Sequence, residues 1–206
     1  MSAQIIECQQ GEPEWFQARL GIPTASEFST VMAKGEGKTR KKYMLELAGE
    51  ILTGEPRETY TNQHMERGKI MEDEARDLYA FLKNCEPQRV GFIRNGNAGC
   101  SPDSLIGDAG GLEIKTALAH IQIDRLMKNE LPPEHKAQVQ GSIWITEREW
   151  WDFSSYCNPK LPLFVKFVQR DNGYIANLKG EVDRFNDELQ AVVERIRNYG
   201  AEAVAA

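Results

Sequence analysis

Between Leu105-Ile106 and Leu112-Glu113-Ile114, two short strand-like runs, the chain carries Gly107-Asp108-Ala109-Gly110-Gly111. Glycine reaches positive φ without steric cost, so this segment can reverse the chain tightly and let the two runs pair as a β-hairpin. That pairing constrains what surrounds it. Side chains alternate along a strand, so Glu113 and Lys115 share one face while Leu112, Ile114 and Thr116 share the other, with Leu112 and Ile114 expected toward the core. Asp103, just before the first strand, then falls near the Ile114 end of the second, within the roughly 5–8 Å over which cross-strand neighbours meet. Two carboxylates and an ammonium converge. On composition alone such a cluster is more often a solvated surface with weak ion pairs. As a site, its hard oxygens suit a divalent cation and Lys115 suits a developing negative charge.

The 206 residues, 41% of them hydrophobic, suffice for one domain, residues 1–206, with a sizeable core. No apolar run approaches the ~18 residues of a membrane helix, and the first residues show no charged start followed by an apolar stretch. A soluble, unexported cytoplasmic protein with no membrane contact is expected. Cys8, Cys85, Cys100 and Cys157 lie far apart with no C-x-x-C pair, which points to free, mostly buried thiols rather than a zinc site or disulfides. The net charge of −6 argues against strong non-specific adhesion to nucleic acid, whose affinity comes from Lys and Arg at phosphates. Any such contact must be local. The stretch Lys34 to Lys42 holds five basic residues against one acid, Glu36, and reads either as a solvated loop or as a mobile contact to a phosphate backbone.

Capping, proline and periodicity signals predict helices over Glu12–Gly21, from Thr24 or Ser26 to Met32, over Lys41–Leu52, Asn62–Leu82 and Glu134–Ile145, and a C-terminal helix over Leu178–Tyr199. In the fourth of these by chain order, Met65, Gly68, Glu72, Ala75, Tyr79 and Leu82 recur at steps of three and four. Glu72 thus sits in an otherwise apolar or small-residue stripe, either as a functional acid or paired with Arg76 at i+4. Strands are predicted over Pro87–Arg94, Trp150–Phe153 and Leu161–Val168, with a turn at Asn95-Gly96-Asn97. Gln138 and Ser142 share one helix face. His120 and His135 lack metal-ligand spacing.

Pro102-Asp103 followed by Glu113-x-Lys115 across the Gly-rich turn resembles the signature of the PD-(D/E)XK nuclease superfamily. Three further segments resemble the lambda exonuclease and YqaJ-like viral recombinase (alkaline exonuclease) family within it: Arg19-Leu20-Gly21 with Thr24-Ala25-Ser26, the stretch Gly68 to Arg76, and Ala137-Gln138-Val139-Gln140 with Ser142-x-Trp144. The resemblance runs from Trp15 to about Trp144. It implies an α/β, restriction-endonuclease-like fold with a mixed central β-sheet flanked by α-helices. It implies an Mg²⁺-dependent exonuclease, with two ions and Mn²⁺ as a substitute, that degrades one strand of linear double-stranded DNA from its 5′ end. The 3′ overhangs would serve a single-strand annealing protein in phage-type recombination, in a bacterial or phage-infected cell, and a homotrimer ring is expected. The implied catalytic residues are Asp103, Glu113, Lys115, Glu72 and Gln138, with metal held at Glu72, Asp103, Glu113 and Ile114. Arg19, Thr24, Ser26 and Ser101 would bind the 5′-phosphate. A further acid of the family has only Asn95 as its nearest counterpart, so that role is unfilled. Two alternatives stay open: a catalytically silent DNA-end-binding or scaffold protein, and a restriction-type endonuclease of the same superfamily.

Overall fold

The computed structural model describes residues 2–33, 37–57 and 63–199, and for 63–69 the backbone alone. Residues 34–36 of the basic stretch, the expected helix start at Asn62, and the side chain of Met65 lie outside what the structure describes.

After strand β1 (Gln4–Ile6), helix α1 (Pro13–Ala18) starts on a proline, whose fixed φ suits a first turn that needs no N–H. It is shorter than expected because Gly21, at φ +67°, turns the chain and donates its N–H to Glu50 Oε2 at 2.7 Å. Thr24 precedes a single 3₁₀ turn (Ala25–Glu27) that leads into α2 (Phe28–Val31). Its side chain makes no capping bond and Ser26 lies inside the turn, so neither is the helix cap expected of it. Helices α3 (Lys38–Thr53) and α4 (Gln63–Lys83) follow.

The stretch expected as one strand over Pro87–Arg94 divides between two sheets. Gln88 exchanges both backbone hydrogen bonds with Leu105, whereas β2 begins only at Phe92 (Phe92–Asn95). At the crossing, Gly91 packs so closely on the Cys8 carbonyl that a Cβ would stand 2.1 Å from its oxygen. β2 pairs antiparallel with β1 and with β3 (Ala98–Cys100), making a three-stranded sheet.

The hairpin is present as β4 (Ser104–Ile106) and β5 (Gly110–Thr116), with Ser104 opposite Leu112. Helix α5 (Ala119–Lys128), a 3₁₀ turn (Pro133–His135) and α6 (Lys136–Thr146) lead to β6 (Trp150–Tyr156), which pairs parallel with β5. β7 (Phe164–Gln169) pairs antiparallel with β6, and α7 (Asn172–Arg197) closes the described chain. The fold is mixed α/β with flanking helices, as expected; among the described residues the strands form a mixed four-stranded sheet that bears the hairpin and a further three-stranded sheet.

Both faces of β5 are covered, as a strand with a parallel neighbour usually is. Leu112 and Ile114 pack with Ala75 and Tyr79 of α4, with Ile106 and with Tyr156. On the other face α6 is buried almost all round and touches β2 and β3 of one sheet and β5 and β6 of the other. The Glu113 face, read from the alternation as opposite to the core, is therefore enclosed as well.

Candidate active site

The register β4–β5 carries Asp103 to the level of Glu113. Asp103 Oδ2 accepts the Ile114 N–H at 2.5 Å, so the carboxylate is locked to the strand that carries its neighbours. Glu113 is 3% exposed, and its Oε1 receives both Lys115 Nζ and Gln138 Nε2 at 2.6 Å. Among the described residues, Asp103 Oδ1 and Glu113 Oε2 take no hydrogen bond, which leaves one oxygen of each carboxylate for a ligand. Ile114 has its side chain in the apolar cluster, so only its main chain can serve a metal.

Charge crowding shapes the protonation states. Burial, then Glu113 and then Glu72, push the Asp103 carboxyl well above the usual carboxylate range, against the opposing pull of Lys115 and the Ile114 N–H. Burial draws the Lys115 ammonium down, but Glu113, Asp103 and Glu72 outweigh it and hold the group above the ordinary lysine value. Lys115 is a cation facing acids that repel one another.

Helix α4 brings Glu72 to this place. Ala75 and Tyr79 seat the helix on the sheet, and Tyr79 Oη donates to Asp152 Oδ2 at 2.8 Å. Glu72 is paired with Arg76, as the plainer of its two readings anticipated, yet this is no surface pair: Arg76 is 5% exposed. Among the described residues no three His, Cys, Asp or Glu side chains are gathered closely enough to hold a metal. The chemistry of the donors nevertheless fits a hard divalent cation, because a buried carboxylate such as Asp103, crowded by Glu113 and Glu72, gains most from one.

A second cluster adjoins the first through Ser101-Pro102-Asp103. Arg19 Nη2 donates to Thr24 Oγ1 at 3.3 Å, and Thr24 Oγ1 lies 3.2 Å from Ser26 Oγ. The Arg19 guanidinium stacks over Trp15 at 4.1 Å, and Trp15 Nε1 donates to Ser101 Oγ at 2.8 Å. All four expected phosphate ligands are thus joined. Arg19 has no carboxylate partner among the described residues, and burial lowers its pKa from the ordinary guanidinium value. A three-residue 3₁₀ turn is too short to supply much of a helix dipole, so an anion here would rest on side chains. Asn95 sits elsewhere, donating to the Ile145 carbonyl at 3.3 Å.

Trp15 and Arg76 belong to this constellation although neither was singled out for a site. Trp15 lies four residues before Arg19, a spacing that could have suggested the stack. Arg76 reaches Ser104 only through the tertiary fold, and no local pattern announces it.

The description "YqaJ-like viral recombinase domain" matches residues 14–149. The chain belongs to the YqaJ-like viral recombinase family. Its structure is similar to that of the alkaline exonuclease LHK-Exo from Laribacter hongkongensis, with 35% identity, TM-score 0.85, and coverage of 93% of this chain and 100% of that one. The same values hold for LHK-Exo in complex with dAMP. A phage-related exonuclease from Haemophilus somnus 129PT shares the fold at 13% identity and TM-score 0.64, over 85% of this chain and 96% of that one. No curated protein matches. Family membership together with the LHK-Exo likeness makes this chain a nuclease.

Proposed function

We propose that the chain is a single nuclease domain that, with divalent metal, removes nucleotides from the 5′ end of one strand of linear duplex DNA and leaves 3′ single strands. The observation that carries this is the meeting of Asp103, Glu113 and Lys115 at the hairpin, with Asp103 two residues along the chain from Ser101 of the Arg19–Thr24–Ser26–Ser101 cluster. That LHK-Exo has been solved with dAMP, a deoxynucleoside monophosphate, is in keeping with it.

Asp103, Glu113 and the Ile114 carbonyl, with Glu72, would hold Mg²⁺ or Mn²⁺, as two ions. Such ions polarise the scissile phosphate and make water acidic enough to attack it at neutral pH. The protein's own groups set the geometry. The Ile114 N–H and Gln138 Nε2 each fix one carboxylate oxygen, and the Lys115 ammonium holds its proton at Nζ beside the charge that develops on the phosphate. Arg19, with the hydroxyls of Thr24, Ser26 and Ser101, grips the terminal 5′-phosphate, which places the next bond at the acids. The overhangs would pass to a single-strand annealing protein, and three copies would ring the duplex inside the cell.

Digestion of linear and covalently closed duplex, bearing 5′-phosphate or 5′-hydroxyl ends, with Mg²⁺ or with chelator, tests this. Linear 5′-phosphorylated DNA should be shortened only with metal, and Asp103→Ala should slow it on the order of a thousandfold or more. Arg19→Ala should collapse the preference for 5′-phosphate while digestion of 5′-hydroxyl ends changes little. Cutting of circles would replace exonuclease with endonuclease, and end binding without digestion would leave a silent scaffold.

A further inference from the structure

Arg76 is nearly sealed from solvent, yet its guanidinium serves four partners at once. Nε donates to Ser104 Oγ at 3.0 Å, Nη1 to Asp73 Oδ1 at 2.7 Å, and Nη2 both to Glu72 Oε1 and to the Asp103 carbonyl at 3.4 Å. Ser104 Oγ in turn donates to the Asp103 carbonyl at 2.6 Å. One side chain of α4 thus grips the main chain of the Asp103–Ser104 corner and the carboxylate of Glu72.

The four contacts are not equally tied. Ser104 is fully buried, and the Asp103 carbonyl belongs to the corner it stabilises. Asp73 stays beside Arg76 on the helix and is shared with Arg89 at 2.6 Å. Glu72, its side chain one-third exposed, has among the described residues no second cationic partner of the kind Asp73 has in Arg89, and it lies close enough to Asp103 to raise that group's pKa. A buried cation stripped of its only counter-ion is strongly disfavoured. Arg76 would not meet that cost on losing Glu72, because Asp73 still neutralises it and Ser104 and the Asp103 carbonyl still take its N–H groups.

We propose that Arg76 is a positioning residue that holds the Glu72 carboxylate in an ion pair beside the Asp103 corner in the metal-free enzyme and releases it to an entering divalent cation. This rests on the metal-dependent reading of the site. The Arg76–Glu72 pair then competes with the metal, and the contacts to Asp73, Ser104 and Asp103 keep α4 in register with the hairpin while Glu72 changes partner.

The competition is measured by calorimetric titration of the DNA-free protein with Mn²⁺ and with Mg²⁺. Arg76→Gln removes the competing cation and leaves Asp73 its pair with Arg89, so metal should bind severalfold tighter than to wild type. Introduced into Glu72→Gln protein, the same substitution should lose most of that gain, since the pair is already broken. Arg76→Lys keeps the charge but cannot span Glu72, Asp73 and Ser104 together. It covers the case in which Arg76→Gln fails to fold, and its tightening should be smaller, of the same sign, and equally dependent on Glu72. A purely structural Arg76 would give unchanged or weaker metal binding, or a change indifferent to Glu72→Gln, and either result overturns the proposal. Wild-type protein that binds neither metal would overturn the metal-dependent reading itself, and Arg76's role with it.

Discussion

His135 stacks on Phe153 with ring centroids 4.8 Å apart, and its Nε2 lies 3.2 Å from Arg125 Nη2. A guanidinium can only donate, so Nε2 accepts and the imidazole is neutral with its proton on Nδ1. Burial first, then the charges of Lys115 and Arg125, with only Glu134 opposing, push its pKa down to about 4 from 6.5. Between those values the unfolded chain binds a proton that the folded one refuses, so stability rises with pH there and is lost as pH falls from 6.5 toward 4. The loss between pH 7 and pH 4.5 should be about 2 kcal/mol. His135→Gln, whose amide oxygen can still accept from Arg125, should flatten that acid limb, as urea unfolding midpoints at the two pH values would reveal. At this scale the sequence reveals short-range chemistry and little else. Asp103, Glu113, Lys115 and Gln138 carry their spacing in plain view, whereas the meeting of Arg76 with Ser104, 28 residues on, and of Trp15 with Ser101, 86 residues on, depends on the fold.

Elements turn that residue chemistry into geometry, and the hairpin shows how narrow the tolerance is. Gly111 shares a face with Glu113 and Lys115 and lies beside Trp151 on β6, whose ring would stand 2.3 Å from a Cβ at Gly111. The indole fills the place of the missing side chain and carries β6 close under the strand that presents the acids. Gly111→Ala must displace either that buried ring or β5, at a cost of about 1–3 kcal/mol. Because Glu113 is two residues away, the rate of cleavage should fall with stability. Gly107, at φ +50° with open space around it, is the control: Gly107→Asn, which tolerates that conformation, should match wild type in urea midpoint and in rate. A wild-type midpoint for Gly111→Ala would show the packing at Trp151 to be loose. The hairpin, α4, β6 and the C-terminal helix are readable because their patterns are local, although β6 runs on to Tyr156 and the helix already begins at Asn172, where Asp171 caps it, and not at Leu178. The split of Pro87–Arg94 between two sheets is not, since it depends on which edge strand each half meets. Nor is the nearly all-round burial of α6, whose Gln138, Gln140 and Ser142 look exposed in one dimension, yet Gln138 meets Glu113 and Gln140 the Gln169 carbonyl.

At the scale of the whole molecule, a chain of net charge −6 has to work on a polyanion. Among the described residues, cations gather in two places that could meet it: the Arg19 cluster, proposed to take the 5′-phosphate, and Lys38, Lys41 and Lys42 around an open recess with Leu45 and Glu46 at the start of α3. Binding that depends on Z phosphate contacts weakens with salt as roughly the 0.9Z power of its concentration, so a few contacts give a shallow dependence and modest affinity. An enzyme held by charge alone would then leave the strand after few steps. A ring of three copies enclosing the duplex, the assembly proposed from the family resemblance, would replace affinity with topology, because escape would require the ring to open or the end to be reached. The two regimes separate in one experiment, with enzyme loaded on 5′-phosphorylated duplex and then challenged with excess competitor DNA at increasing salt. Threading predicts that loading falls with salt while the number of nucleotides removed per encounter stays nearly constant, and light scattering should give three times the 23.3 kDa of one chain. A run length that falls in step with loading, from particles with the mass of one chain, would mean that the few lysines and Arg19 do all the holding.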